Sequence, residues 1–265
     1  MPPSDLGHGF APDLGTPDDV VQAFFRAFLP DFYFVNTPIS RMRRHLQLVG
    51  RLSETPLILD FHRPIGAHFT ELTICAHDDA QPGLLAKVAG TLAHLKIGVH
   101  TAWIHTLRDP NAVDSGRRVV LDTLILSESL WNRSRPLALR TQTKVTQNLD
   151  SALNGHVNIS HLLLKTLNRA APLKIEELSA SQNGDGLCQL TLRAGDEIAV
   201  LYRVTRALAA LKIDIAHAQI NTHEKSVDDV FFVCRSAGVP LGDGEIPSLV
   251  FALREMLQND TLNFG

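Results

Sequence analysis

Apolar residues recur along the chain with the two periods that distinguish helices from strands. The segment 83–96 predicts a helix, because leucine and valine return every three or four residues at Leu85, Val88, Leu92 and Leu95. The positions that follow alternate between apolar and polar side chains, as on the two faces of a strand. This alternation predicts that a strand comes directly after the helix.

The same pattern returns 116 residues further along the chain. Aligned without gaps, segments 85–106 and 201–222 are identical at 10 of 22 positions. The identities include both the helical leucines and the alternating strand positions, so the two segments predict the same local structure. An internal repeat of this kind indicates two structural units of similar fold.

The sequence pattern of each unit predicts the order strand, helix, strand, strand, helix. The predicted segments are 69–76, 83–96, 97–107, 118–127 and 135–153 in the first unit, and 187–194, 199–212, 213–223, 227–235 and 245–258 in the second. This order is one strand short of the ferredoxin-like βαββαβ unit. We expect segment 174–178 to supply the fourth strand of the first unit, and segment 261–264 is a weak candidate in the second.

The predicted fold class is therefore α+β, with two antiparallel ferredoxin-like sheets that each carry helices on one face. A disordered start over 1–15 and two short helices within 17–50 precede the first unit, since Pro and Gly are frequent in 1–15 and helical spacing follows. The predicted domains are 1–67, 68–180 with a linker helix and strand, and 181–265.

The motifs of both units resemble the ACT domain family, whose members are small regulatory modules that bind amino acids. The segments that carry this resemblance are Phe69–Ile74 with Pro82–Gly90, Ile104–Thr106 with Leu121–Leu126, and Val204–Leu208 with Asp229–Val233. Their order is most similar to the paired ACT domains at the carboxyl end of the protein-PII uridylyltransferase/uridylyl-removing enzymes. The resemblance covers about residues 30–260 and implies a ferredoxin-like fold.

The catalytic motifs of those enzymes are absent from the sequence. Only 68 residues precede the first unit, and they contain neither a Gly-Ser turn with paired Asp nor a His-Asp metal motif. The one His-Asp pair, His77-Asp78, lies in the predicted turn before a helix. We therefore expect no catalytic residues, no cofactor and no metal site, and a chain that is not an enzyme.

The resemblance implies a ligand site at the turn before the first helix of each unit, facing the start of a second strand. Backbone N–H groups at a helix start can bind a carboxylate, glycine permits close approach, and an acid can pair with an ammonium group. The candidate residues are Asp78, Asp79, Gln81, Pro82, Gly83, Leu84, Gly98, Val99, Asp196, Ala199 and Val200. The first turn is favoured, because Ala199 stands in the second where the first has Gly83.

Composition narrows the class of partner. A net charge of −3 disfavours nucleic acid, and no apolar run is long enough to span a membrane. Three widely separated cysteines signal neither disulfides nor a thiolate zinc site, so we expect a cytoplasmic protein with reduced thiols.

The leading hypothesis is a non-catalytic regulator that binds a small amino acid, with glutamine implied by the resemblance and a protein partner as its target. We expect the two units to pair within the chain or in a homodimer. Two alternatives stay open: a ligand-free interaction scaffold with degenerate ACT sites, and a truncated uridylyltransferase relative without activity.

Overall fold

The computed structural model describes eight stretches of the chain: residues 16–79, 81–109, 117–130, 133–167, 172–183, 186–197, 199–223 and 226–259. Two expectations, a disordered start over 1–15 and a strand at 261–264, lie outside these stretches.

The described residues form eight α-helices and nine strands. The helices are α1 Asp18–Arg26, α2 Asp31–Asn36, α3 Ile39–Arg51, α4 Leu84–His94, α5 Leu139–Leu153, α6 Ile159–Leu167, α7 Val200–Ala210 and α8 Ile246–Gln258. The strands are β1 Leu57–His62, β2 Thr70–His77, β3 Ile97–Arg108, β4 Arg118–Leu130, β5 Arg133–Arg135, β6 Ile175–Gln182, β7 Cys188–Gly195, β8 Ile213–His223 and β9 Ser226–Arg235.

All nine strands belong to one antiparallel sheet. Eight follow the order β1-β2-β4-β3-β8-β9-β7-β6, and β5 pairs with the end of β4. The two halves of this order are mirror images in strand type, since each reads edge strand, first strand, third strand, second strand towards the centre. The predicted α+β class, the antiparallel pairing and the repeated unit are confirmed.

The two units join through their second strands at the centre of the sheet. Ala102 pairs with Ile220, Trp103 with Gln219, and Ile104 with Ala218. Because Gln219 is 116 residues after Trp103, the repeat equivalents face each other and a local two-fold axis passes between them. The ACT-type pairing that the sequence predicted, within the chain or between chains, thus lies within the chain.

In each unit, the fourth strand comes before the other three strands in the chain and does not follow the second helix. β1 pairs with β2, so the first sheet is completed by segment 57–62. β6 pairs with β7 in the second unit, which corrects the expectation that segment 174–178 would complete the first. We therefore propose that β1 belongs to the first unit and that the second unit begins near 172 instead of 181. The run Leu57–Leu59 carries the strand pattern, but a search for a strand after the second helix overlooks it.

Helices cover one face of the whole sheet and both faces of the first unit. α4, α5, α7 and α8 enclose the main hydrophobic core against β2–β4 and β7–β9. The amino-terminal helices α1–α3 pack on the opposite face of the first unit, where they bury Cys75, Leu107, Val119 and Leu121. The expectation of helices on one face only is therefore wrong for this unit.

The strand sequences explain why α1–α3 stop at the first unit. β4 contains the nearly continuous apolar run Val119–Leu126, which is buried on both faces. In contrast, β7 presents Gln189, Thr191 and Arg193 on the corresponding face, all partly or fully exposed. Phe32 of α2 extends across the junction, where its ring stacks on Phe232 at 5.4 Å.

Buried polar contacts fix the position of α3 on the sheet. Glu71, which is 5% exposed, accepts hydrogen bonds from Arg41 and Arg44. The fully buried ring of His45 bridges the Tyr33 hydroxyl at 2.9 Å and the Thr123 hydroxyl at 3.1 Å. Burial, together with Arg41 and Arg44, lowers the pKa of His45 to about 3, so this ring stays neutral.

The amino-terminal layer is part of the folded core, which a phenylalanine truncation can test. Phe25 of α1 is 0% exposed, and Phe25→Ala should lower the free energy of unfolding by about 3–5 kcal/mol. The matched control is Phe251→Ala in α8, which is 68% exposed and should change it by less than about 0.5 kcal/mol. Urea unfolding measures both, and equal effects would show that α1 does not pack as described.

Candidate ligand sites at the junction of the two units

The turns between the first strand and first helix of each unit adopt related backbone conformations. Gly83 precedes α4 with φ 142°, and Ala199 precedes α7 with φ 56°. Both values lie in the region that favours glycine, so the second turn keeps a positive φ although it carries a Cβ. The second turn therefore begins its helix with an alanine in a backbone conformation that glycine would adopt at lower cost.

Each turn faces the start of the second strand of the other unit, because the local two-fold axis exchanges them. The first cavity is lined by the turn 82–86 with Asp78, by Thr205 and Ala209 of α7, by 213–215 of β8, and by Ile104, Thr106, Val120 and Asp122. The second cavity is lined by Asp196, Glu197 and 199–202 of the second unit, by Ala89, Leu92, Ala93 and 96–100 of the first, and by Ile220, Thr222, Val227 and Asp229.

The two cavities differ greatly in size. The first has a volume of about 30 Å³, which is enough for a few water molecules. The second has a volume of about 500 Å³, within the range of ~300–1,000 Å³ that is usual for small-molecule sites. The sequence favours the first turn, whereas the available space favours the second.

Two acids of the first cavity wall belong to an internal ion-pair cluster. Nη2 of Arg118 lies 2.7 Å from Oδ2 of Asp78, and its Nη1 donates a hydrogen bond to Asp214. Burial raises the pKa of Asp78 to about 6, although Arg118 acts to lower it. Of the other predicted turn residues, Pro82, Gly83 and Leu84 line the cavity, whereas Asp79 pairs with Lys87 at 2.6 Å and Gln81 is exposed.

The second cavity is open and acidic. It brings together Gly98 and Val99 of the first unit with Asp196, Ala199 and Val200 of the second, which are five of the predicted site residues. Partial burial and the neighbouring Glu197 raise the pKa of Asp196. His100 hydrogen-bonds Ser127 at 2.7 Å, and burial lowers its pKa, so it contributes little positive charge to this wall.

Each cavity also contains a buried acid that the sequence analysis missed. Asp122 and Asp229 are 0% and 1% exposed and occupy equivalent places in β4 and β9. Their Oδ1 atoms accept hydrogen bonds from the backbone N–H of His105 and Asn221, which are also repeat equivalents. A single acid within an apolar strand run, as in Leu121-Asp122-Thr123-Leu124, is the sequence signal that identifies them.

Burial is the main influence on the pKa of both acids. It raises the pKa of Asp229 to about 7, with smaller upward contributions from Asp228 and Asp196 and an opposing one from the Asn221 N–H group. It also raises the pKa of Asp122 well above its ordinary value. The floor of the second cavity is thus a carboxyl group that exchanges its proton near neutral pH.

Two further classes of site were sought in the described part of the chain. No group of three or more His, Cys, Asp or Glu side chains there could hold a metal ion. No helix there is long and apolar enough to cross a membrane.

Both halves of the architecture, with their turn-to-strand sites, resemble tandem ACT-type units. No protein-family model matches the sequence. The chain is similar to the bifunctional uridylyltransferase/uridylyl-removing enzyme of Streptomyces coelicolor, with 28% identity over 204 residues, 75% of this chain and 23% of the relative. The corresponding enzyme of Bradyrhizobium diazoefficiens is 26% identical over 234 residues, 85% of this chain and 24% of the relative.

The similarity extends over most of this chain but over a minor part of its relatives. The Gluconobacter oxydans enzyme is 25% identical over 251 residues, 91% of this chain and 25% of the relative. The chain spans about a quarter of the length of the curated relatives it matches. Among solved structures, aspartate kinase from Synechocystis aligns with a TM-score of 0.39 and 16% identity over 74% of this chain and 27% of that chain.

The positive φ of Ala199 leads to a testable expectation about the second turn. Ala199→Gly should raise the free energy of unfolding by roughly 0.5–1 kcal/mol, because glycine relieves the left-handed backbone cost that alanine bears. The control is Ala252→Gly inside α8, which should lower it by ~1 kcal/mol. Denaturant titration measures both, and a destabilised Ala199→Gly would contradict the turn conformation.

Proposed function

We propose that this chain is a non-catalytic regulatory module that binds a small amino acid in the second cavity. Glutamine is the amino acid that the resemblance to uridylyltransferase/uridylyl-removing enzymes implies, and amino-acid or nitrogen sensing in the cytoplasm is the corresponding role. The observation that carries the proposal is the 500 Å³ cavity between the turn of one unit and the strand start of the other.

Complementary charges in this cavity support an amino acid as the ligand. Asp196 and Asp229 supply carboxylates for the ligand's ammonium group. The start of α7 presents backbone N–H groups beside Val200, near the positive end of the helix dipole, for the ligand's carboxylate. The side chain of the ligand would then lie against the apolar wall formed by Leu92, Val99 and Ile220.

The alternative function is an interaction scaffold that binds no ligand. It is favoured by the first cavity, where Asp78 and Asp214 already pair with Arg118 and where the volume leaves no room for an amino acid. A truncated uridylyltransferase relative without activity is consistent with either function.

A thermal-shift series with the twenty amino acids distinguishes the two. A ligand at 100 times its dissociation constant adds about 2.7 kcal/mol to the stability of the folded chain, so at least one amino acid should raise Tm. Calorimetry on that amino acid then gives its affinity. If none of the twenty raises Tm or releases heat, the scaffold function is the better conclusion.

Replacement of the buried acid should separate ligand binding from stability. Asp229→Asn should weaken binding roughly ten- to hundredfold, because it removes a charged hydrogen-bond acceptor for the ammonium group. The same variant should raise the free energy of unfolding at pH 8 by about 1–3 kcal/mol, because it removes a buried charge but can keep the bond from Asn221.

The matched control is Asp228→Asn, since Asp228 is adjacent in sequence, 43% exposed and paired with Arg193 at 3.5 Å. It should alter neither binding nor stability appreciably.

The stabilisation by Asp229→Asn should fade towards acid pH. The folded pKa of about 7 exceeds the ordinary value, so wild-type stability falls as pH rises from about 4 to 7. Unchanged affinity in Asp229→Asn would remove this acid from the site.

The affinity itself should depend on pH. Because a cationic group is bound best by ionised Asp229, the affinity should rise about tenfold between pH 6 and pH 8 for a proton lost at about pH 7. Calorimetry at both values measures this change. In Asp229→Asn the rise should disappear, and a rise of the same size there would assign the titration to another group.

A further inference from the structure

We infer that Arg118 takes the part of a ligand's cationic group at the first cavity: its guanidinium pairs with two acids of the cavity wall, Asp78 and Asp214, and so joins the two units. This inference deepens the proposed function, since it implies that one chain binds one amino acid rather than two. The bridge of Arg118 between Asp78 and Asp214, called the interlock below, does not depend on any ligand, because each of its contacts lies within the chain.

The geometry of the cluster supports this assignment. Asp78 belongs to the turn between β2 and α4 of the first unit. Asp214 belongs to β8 of the second unit, and both acids line the cavity. Arg118 lies 2.7 Å from Asp78 and hydrogen-bonds Asp214, so one guanidinium bridges the two units.

Burial makes this bridge more consequential than a surface ion pair. The side chains of Asp78 and Asp214 are each 10% exposed, and that of Arg118 is 27% exposed. A guanidinium can contact two carboxylates at once through separate N–H groups, whereas a ligand's ammonium would have to displace it from both. The second oxygen of Asp214 accepts the N–H of Ile215 at 3.1 Å, which fixes this acid towards the cavity.

The second cavity lacks an acid at the position equivalent to Asp214, which accepts a hydrogen bond from Arg118 in the first cavity. The repeat offset of 116 places Gly98 where Asp214 stands, so the first unit offers no acid on its strand. The repeat equivalent of Arg118 in the strand register is Lys225, which lies outside the described residues. The second cavity therefore keeps its space, and its turn acid Asp196 faces a strand start without a carboxylate.

Chemical rescue tests the interlock without knowledge of the natural ligand. Arg118→Ala leaves Asp78 and Asp214 without their cation, so Tm should fall. Methylguanidinium chloride at millimolar concentration should then raise Tm saturably, by about 2 °C or more, against sodium chloride at equal ionic strength. Wild type should show no saturable rise, and Arg118→Ala/Asp214→Asn should lose the rescue.

The matched control is Arg193→Ala, because Arg193 also pairs with two acids, at 3.5 Å each, but is 48% exposed. It should change Tm little and should not respond to methylguanidinium. If Arg118→Ala does not fold, Arg118→Gln replaces it, because glutamine keeps part of the side chain and removes the charge. A double-mutant cycle of Arg118→Gln with Asp214→Asn should then show coupling between the two positions. Absence of both rescue and coupling would overturn the inference.

Binding stoichiometry separates the interlock from the proposed function. Equilibrium dialysis with glutamine should give one site per wild-type chain and a second, weaker site in Arg118→Ala. If glutamine binds neither protein but methylguanidinium still rescues Arg118→Ala, the interlock stands and glutamine is not the ligand. Two equal glutamine sites in wild type would show that the Arg118 ion pairs do not block binding at the first cavity.

Discussion

The pairing of β3 with β8 is the contact on which the other features depend. An isolated unit would expose one edge of its second strand, with unpaired backbone groups along it. Joining the two second strands satisfies these groups and produces a single sheet. Because the strands are antiparallel and Trp103 faces its repeat equivalent Gln219, each unit places its turn opposite the strand start of the other.

The register of this pairing therefore fixes both cavities together. A shift by one residue would turn Ala102, Ile104 and Ala218 away from the helices, since side chains alternate between the faces of a strand. All three are buried in the main core, so such a shift is strongly disfavoured. The Arg118–Asp214 contact adds a charged bond between the units at one side of the axis, and the repeat equivalent of Asp214 at the other side is Gly98. The symmetric framework thus supports two sites that have become chemically different.

The sequence predicts the framework better than it predicts the sites. The repeat and its helical period identify α4, β3, α7 and β8, because these elements bury one regular face each. β1 is not predicted from the sequence, and segment 174–178 of β6 is assigned to the wrong unit, because a strand pattern does not reveal which neighbour completes its hydrogen bonds. The choice between Asp78 and Asp196 depends on the volume left around each turn and on the tertiary partners of each acid, such as Arg118 from a distant strand beside Asp78.

The two buried acids show how the sites differ from ordinary core. An apolar side chain at Asp122 or Asp229 would suit the surrounding strands and would avoid the cost of desolvating a carboxyl group. In the first unit the cost is reduced by protonation, since burial strongly raises the pKa of Asp122, and the second oxygen of Asp122 has no hydrogen-bond partner among the described residues. In the second unit Asp229 lies at the floor of an open cavity and exchanges its proton near pH 7. A ligand cation would compensate the charge of the Asp229 carboxylate when bound. The same residue can therefore lower the stability of the ligand-free chain and raise that of the ligand-bound chain. Under the proposed function, ligand binding and the stability of the junction are coupled through one side chain, as a module that reports a bound amino acid through its structure requires.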